Sequence, residues 1–212
     1  LVVDKPAGVA VNATETSPRA SVVELFEARD ARVVHRLDRD TTGVLVLAKG
    51  PVAAAKLSAA FAERRVEKEY WAITEGIPSA RRVEAPIGRD KRRPRARAAR
   101  ADGQTAQTDL SVLEEAEALA VVAARPVTGR THQIRVHLAH VGAPILGDTL
   151  YGGPSAVRVG GEVTRVSRPL LHAAALTLPG PSGARRFYAP PPEDFARVAR
   201  AIGVSDLDLD SE

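Results

Sequence analysis

The sequence predicts an α+β fold in which a mixed sheet is flanked by helices. Strands outnumber helices, they follow one another as hairpins, and one or two crossovers interrupt them. At 212 residues and 44% hydrophobic, the chain can bury one sizeable core.

Leu1 to Val3 read as a strand, and because the chain opens inside it, sequence upstream of Leu1 is expected. Pro6 and Gly8 of "DKPAGVAV" mark a turn before Val9 to Val11 resume. Residues 12–20 are small and polar and read as a loop. Ser21 is suited to cap a short helix through Ala28, with Glu24 at the reciprocal capping-box position. "RVVH" reads as extended, "RLDRDTTG" as a turn, and "VLVLAK" (44–49) as a strand buried on both faces. Pro51 opens the clearest helix, with Ala54, Leu57, Ala60, Phe61 and Arg64 at helical spacing.

"VEKEYWAIT" then switches to period two. Val66, Lys68, Tyr70, Ala72 and Thr74 share one face; Glu67, Glu69, Trp71 and Ile73 share the other. Residues 108–113 and 118–124 form a strand pair of hairpin type. In "TGRTHQIRVHLAHVG", Thr131 is the expected cap, Ile134, Leu138 and Val141 form a stripe, and Gly142 is a stop. A last strand, "LLHAAALTL", ends at Pro179-Gly180. The expected division is one domain over 1–204 and an acidic, frayed tail over 205–212.

Composition excludes several kinds of chemistry. There is no cysteine, hence no disulfide, thiolate metal site or cysteine nucleophile. No apolar run approaches the ~20 residues that span a bilayer, and no signal pattern opens the chain. A soluble, cytoplasmic protein without a membrane partner is expected, and a monomer. Net charge is only +4, yet residues 81–100 hold nine basic and two acidic side chains. Such a segment is either a solvated, mobile loop or a grip for a polyanion, with Arg92, Arg93 and Arg95 at its centre.

No phosphate-cradling GxxxxGK[ST], strand-linked GxGxxG or GxSxG elbow occurs. His132, His137 and His140 fall within nine residues, but no HExxH or helical carboxylate completes a metal set, so no metal is expected. "HRLDRDTTG" (35–43) is more specific. If its start is extended, Arg36 and Asp38 project to one side and His35 and Leu37 to the other. A carboxylate among guanidinium groups stays ionised, fitting a nucleophile or an electrostatic stabiliser better than an acid. Asp40, before Thr41-Thr42-Gly43, suits a turn. Local physics therefore leans to Asp38 as the reactive carboxylate, although a surface salt bridge has the same local pattern.

"DKPAG" (4–8), "HRLDRDTTG" (35–43), "KEYWAI" (68–73), "TGRTHQIRVHL" (128–138), "GAPILGDTLYG" (142–152) and "LLHA" (170–173) occur in one order. In that order and wording the chain resembles the RluA-like RNA pseudouridine synthases over nearly its whole length. The resemblance implies a single catalytic domain on a mixed, largely antiparallel central sheet with flanking helices. It implies isomerisation of uridine to pseudouridine in structured RNA, ribosomal or transfer, without a cofactor. Asp38 matches the catalytic aspartate, whose attack falls on ribose or base. Tyr70 matches a tyrosine that packs on the uracil and assists with the C5 proton, and Arg135 a basic residue paired with the aspartate. Ile134 matches apolar packing in the pocket, and Arg36 an arginine where the flipped nucleotide enters or leaves. His35, Arg130 and His132, in the same blocks, are expected at the substrate. Without the resemblance, Tyr70 reads as a core strand tyrosine and Arg135 as an exposed helix charge.

Three departures stand out. Thr41-Thr42-Gly43 replaces the family's usual Thr-Ser-Gly, "VNAT" replaces a Val-His-Pro-like stretch, and the strand and small RNA-binding domain common upstream are not in the sequence. A structured-RNA-binding module or chaperone that has lost catalysis is the alternative. Asp38, Tyr70 and Arg135 are all present, which argues against it.

Overall fold

A computed structural model of the chain describes residues 1–13, 20–159, 162–181 and 183–204. In chain order its elements begin with strand β1 (Val2–Lys5), helix α1 (Val22–Leu25), strands β2 (Ala31–Val33) and β3 (Thr42–Lys49), and helix α2 (Gly50–Ala62). Strands β4 (Glu67–Glu75), β5 (Arg82–Val83), β6 (Ile87–Arg89), β7 (Arg97–Ala99), β8 (Thr108–Ala116) and β9 (Leu119–Pro126) follow, then helix α3 (Gln133–His140). Strands β10 (Ala156–Val159), β11 (Glu162–Arg165), β12 (Leu171–Leu178) and β13 (Arg185–Tyr188) lead to helix α4 (Glu193–Ala201). Two compact units result: Leu1–Lys68 with His172–Pro190, and Glu69–Leu171 with the residues from Pro191.

The first unit is organised on β3, the most apolar run, whose residues from Thr42 to Ala48 are all buried. β1 and β2 pair with it antiparallel, β12 pairs with it parallel at Thr42 and Gly43, and β13 lies antiparallel on β12. Proline at the second position of α2 costs no hydrogen bond there. The helix lays Leu57, Ala60 and Phe61 on Val44, Val46, Val66, Leu176 and Ala189. Gly43 explains the close approach of β3 and β12. It has φ +105°, and a Cβ there would stand 2.2 Å from the Ala173 carbonyl oxygen. Beside it the Thr42 hydroxyl lies 2.9 Å from His172 Nδ1, while His172 Nε2 lies 2.9 Å from the Ala189 carbonyl. A carbonyl only accepts, so Nε2 carries the proton and Nδ1 accepts from Thr42. The hydroxyl kept in the Thr-Thr-Gly variant has this buried partner.

In the second unit β4 (from Glu69), β9, β8 and β5 pair antiparallel in that order. The expected stripe of α3 holds: Ile134, Leu138 and Val141 pack on Ala72, Leu110, Ala120, Val122 and Ala124. Val136 faces elsewhere, onto Ile87 and Ala106. Helix α3 therefore has the four-stranded array on one flank and the β6–β7 hairpin on the other. α4 buries Phe195, Val198 and Ala199, and Arg168 donates twice to Asp194 in its first turn (2.6 and 2.7 Å).

Every pairing described here is antiparallel except β3 with β12, and the class is the expected α+β. Several expectations are corrected. The capping box of Ser21 and Glu24 forms, but α1 stops at Leu25 and a 3-10 turn (Glu27–Arg29) follows. α3 is headed by His132, in the left-handed region at φ 58°, not by Thr131. β12 is followed by β13 and α4, so it is not the last element. Residues 81–100 are not a loop: they contain β5 and the paired strands β6 and β7. Most of the 12–20 loop (14–19) and the whole 205–212 tail lie outside the described residues. Among the described residues no helix is long and apolar enough to cross a membrane.

Candidate active site

Asp38 stands on a turn fixed from both ends. Leu37 is buried, Arg36 exposed and Asp38 half-buried. The turn closes through its own backbone, with Thr41 N–H donating to the Asp38 carbonyl at 3.1 Å. The Asp40 carboxylate takes the Arg39 guanidinium at 3.3 and 3.4 Å. Downstream the chain enters β3 at Thr42 and Gly43, already pinned to β12.

The upstream support is Lys5. Its side chain is fully buried, and Nζ donates to the carbonyls of Pro6 (2.8 Å), Val9 (3.0 Å) and Arg39 (2.9 Å). Gly8 N–H donates to the same Arg39 carbonyl at 3.0 Å. A buried ammonium is tolerated only when its donors are satisfied, and three carbonyls do that here. The "DKPAG" turn thus grips the peptide between Asp38 and Asp40.

His35 has a structural occupation. Its Nε2 accepts the Val46 N–H at 2.9 Å, and its ring stacks on Phe61 with centroids 4.6 Å apart. Burial, with the Lys68 charge adding to it, pushes its pKa down to about 4, so the ring is neutral as that acceptor requires. Burial likewise brings Lys68 down to about 8, with Arg64 adding repulsion.

In the second unit the block "TGRTHQIRVH" is a network. Gln133 Oε1 accepts from the Thr128 hydroxyl (2.7 Å) and Arg130 N–H (2.9 Å). Its Nε2 donates to Gln107 carbonyl (2.9 Å) and Thr108 Oγ1 (3.0 Å). His137 Nε2 donates to the Ala85 carbonyl, leaving Nδ1 to accept from Thr108 at 2.8 Å. Burial lowers the His137 pKa, which favours this neutral form. The loop before α3 is therefore rigid, and Arg135 leaves the helix in a fixed direction.

Arg135 is not an exposed helix charge: its side chain is 11% exposed. Nε and Nη2 donate to the two carboxylate oxygens of Asp148, at 2.6 and 2.8 Å, and Asp148 is 1% exposed. Such a forked pair fixes both position and plane of the guanidinium. Its Cζ lies 4.9 Å from the Tyr151 ring centroid.

The model of the family described as RNA pseudouridylate synthase matches residues 1–140. The chain belongs to that family. The ribosomal large subunit pseudouridine synthase D of Xanthomonas campestris pv. campestris is 38% identical over 95% of this chain and 66% of its own length. An uncharacterized RNA pseudouridine synthase of Chloroflexus aurantiacus is 39% identical over 94% of this chain and 65% of its own. The chain thus spans just under two thirds of these relatives. Among solved structures, human RNA pseudouridylate synthase domain containing 4 superposes with TM-score 0.76 at 27% identity, over 95% of this chain and 88% of that one.

The residues expected at the site fall as follows. His35, Arg36 and Asp38 lie on the supported turn of the first unit. In the second, Tyr70 is half-buried on β4 opposite Ala124, against the apolar cluster that holds Ile134. Ile134 is 6% exposed, a core residue. Arg130 Nε donates to the Thr105 carbonyl at 3.0 Å, and His132 Nδ1 lies 2.7 Å from the Tyr151 hydroxyl. Arg92, Arg93 and Arg95 are exposed on the β6–β7 connection. Arg93 is the most engaged of these, donating to Asp90 (3.0 and 2.9 Å) and the Leu150 carbonyl (2.7 Å). Reading the sequence missed Lys5, Asp148 and Tyr151. Among the described residues no three His, Asp or Glu side chains are grouped to hold a metal ion.

Proposed function

We propose that the protein isomerises uridine to pseudouridine in structured RNA, with Asp38 as the nucleophile. The observation that carries this is the Asp38 turn, half-buried and held by Lys5 and Gly43, in a chain that belongs to a pseudouridylate synthase family. A carboxylate that must meet one atom of a substrate needs such a mount, because small misplacements cost rate steeply.

The uracil cannot be reached inside a stack, so it is extruded at a cost of a few kcal/mol and held by aromatic contact and edge hydrogen bonds. Tyr70 supplies the aromatic contact and assists with the C5 proton; Arg36 serves the entry or exit of the flipped nucleotide. The Asp38 carboxylate attacks ribose or base as the N1–C1′ bond breaks. The base turns, C5 bonds to C1′, C5 gives up its proton while N1 takes one up from solvent, and Asp38 is released. Arg135, its guanidinium fixed by Asp148, is the basic residue of the reaction. The product is an isomer of the substrate, so atoms and electrons balance without a donor or cofactor. Arg92 and Arg95 contact RNA backbone, with Arg93 supporting their hairpin. Residues 1–204 supply the catalytic domain, working as a monomer in the cytoplasm. The relatives' names direct the choice of substrate to large-subunit ribosomal RNA rather than transfer RNA.

Pseudouridine mapping of cellular RNA tests this, comparing cells with the gene, without it, and with Asp38→Asn. The expected result is loss of modification at one or more ribosomal uridines, restored by the unaltered gene alone. A map unchanged by deletion overturns it.

A further inference from the structure

Tyr151 touches three parts of the second unit that the proposed reaction uses separately. Its oxygen accepts the backbone N–H of Arg97, on β7, at 2.9 Å. The same oxygen lies 2.7 Å from Nδ1 of His132, at the head of α3, and the two rings meet edge to face. Its ring face carries the Arg135 guanidinium at 4.9 Å. Below, the ring packs with the cluster of Ile87, Ala106 and Val136, which joins β6 to α3. Its neighbour Leu150 accepts from Arg93, and Asp148 opens the same short turn.

The Asp148 carboxylate fixes the edge and plane of the guanidinium, and the aromatic ring backs its face, where cation–π attraction adds to the restraint in a largely desolvated place. The hydroxyl ties that face to the backbone of β7. The arginine-rich hairpin and Arg135 are thus mounted on one side chain.

We propose that Tyr151 is a positioning residue that holds the Arg135 guanidinium in register with the arginine-rich hairpin. RNA backbone bound at Arg92 and Arg95 then meets Arg135 already oriented. This rests on the uridine isomerisation proposed above.

The test is single-turnover conversion of an RNA carrying the target uridine, across a range of RNA concentrations. The proteins are wild type, Tyr151→Leu, Tyr151→Phe, Arg135→Ala and the Tyr151→Leu/Arg135→Ala double variant. Tyr151→Leu should lower the saturating rate by about tenfold or more, the scale of a desolvated cation–π contact. In the Arg135→Ala background the same change should cost nothing further, because it acts through the guanidinium. Tyr151→Phe keeps the ring and frees the hairpin, so it should raise the half-saturating RNA concentration more than it lowers the saturating rate. A wild-type rate for Tyr151→Leu overturns the inference, as does an equal loss in both backgrounds, the mark of general loosening. If melting scans show Tyr151→Leu unfolded, the Phe variant decides: an unchanged half-saturating concentration overturns it. No conversion by wild type sinks the isomerase and the inference together. Conversion with no coupling between positions 151 and 135 sinks the inference alone.

Discussion

Replacing Lys5 with methionine keeps most of the apolar stem and removes the ammonium that donates to the Pro6, Val9 and Arg39 carbonyls. The Arg39 carbonyl keeps the Gly8 N–H, so the change falls on Pro6 and Val9. A buried acceptor stripped of its donor costs about 1–3 kcal/mol, and that falls on Val9, since Pro6 is exposed and its carbonyl can turn to water. Removing the buried ammonium refunds part of its desolvation, and a net loss of about 2 kcal/mol is expected. For a chain of this size that lowers the melting midpoint by about 4–8 °C. The assay is a calorimetric or fluorescence melt of the intact protein, paired with RNA conversion at a temperature where both forms are folded. Because Lys5 grips the peptide next to Asp38, conversion should fall more than tenfold where the variant is still folded, about the effect of a 1 Å misplacement. A midpoint within about 2 °C of wild type, or full activity in a folded variant, refutes the support assigned to Lys5.

Asp148→Asn leaves Arg135 in place but uncharges its forked partner; breaking so buried a pair should cost about 3–5 kcal/mol in urea unfolding, and a cost below 1 kcal/mol would contradict the pairing. Arg92→Ala and Arg95→Ala should each flatten the plot of log affinity for RNA against log salt by about 0.7–0.9, and an unchanged slope would remove them from the RNA surface. His35 is held neutral in the folded chain, so the stability it confers is complete above about pH 6.5 and drains away as pH falls through about 4. His35→Gln, which keeps an acceptor for Val46 N–H, should therefore gain on wild type as pH drops across that window, by about 3 kcal/mol at most; a flat difference refutes this.

The elements with strong periodicity were legible in the sequence. β3, α2, β4, the β8–β9 hairpin and the buried stripe of α3 all follow from apolar spacing and punctuation. The β6–β7 hairpin was not, because its strands are three residues long and carry arginine and alanine, and their partners set their place more than their own pattern does. α4 carries a signal of the same kind, since Phe195, Val198, Ala199 and Ile202 keep helical spacing after a proline run. In the site, "HRLDRDTTG" separates Asp38 from Asp40 only weakly by its local pattern, and the choice of Asp38 rests on the resemblance to the family. Lys5 reads as a surface charge beside a turn, because nothing local announces three carbonyls converging on it. Asp148 and Tyr151 sit in a glycine-flanked turn, and their partner Arg135 is 13 residues from Asp148, on another element. Such contacts exist only once tertiary structure has formed.

We propose that Asp38 performs the chemistry. Release of tritium from RNA labelled at C5 of uridine measures that step directly, since C5 must lose its hydrogen when it bonds to ribose. Wild type should release tritium in step with pseudouridine formation, and folded, RNA-binding Asp38→Asn should release none above background. Release by Asp38→Asn at the wild-type rate would contradict the account.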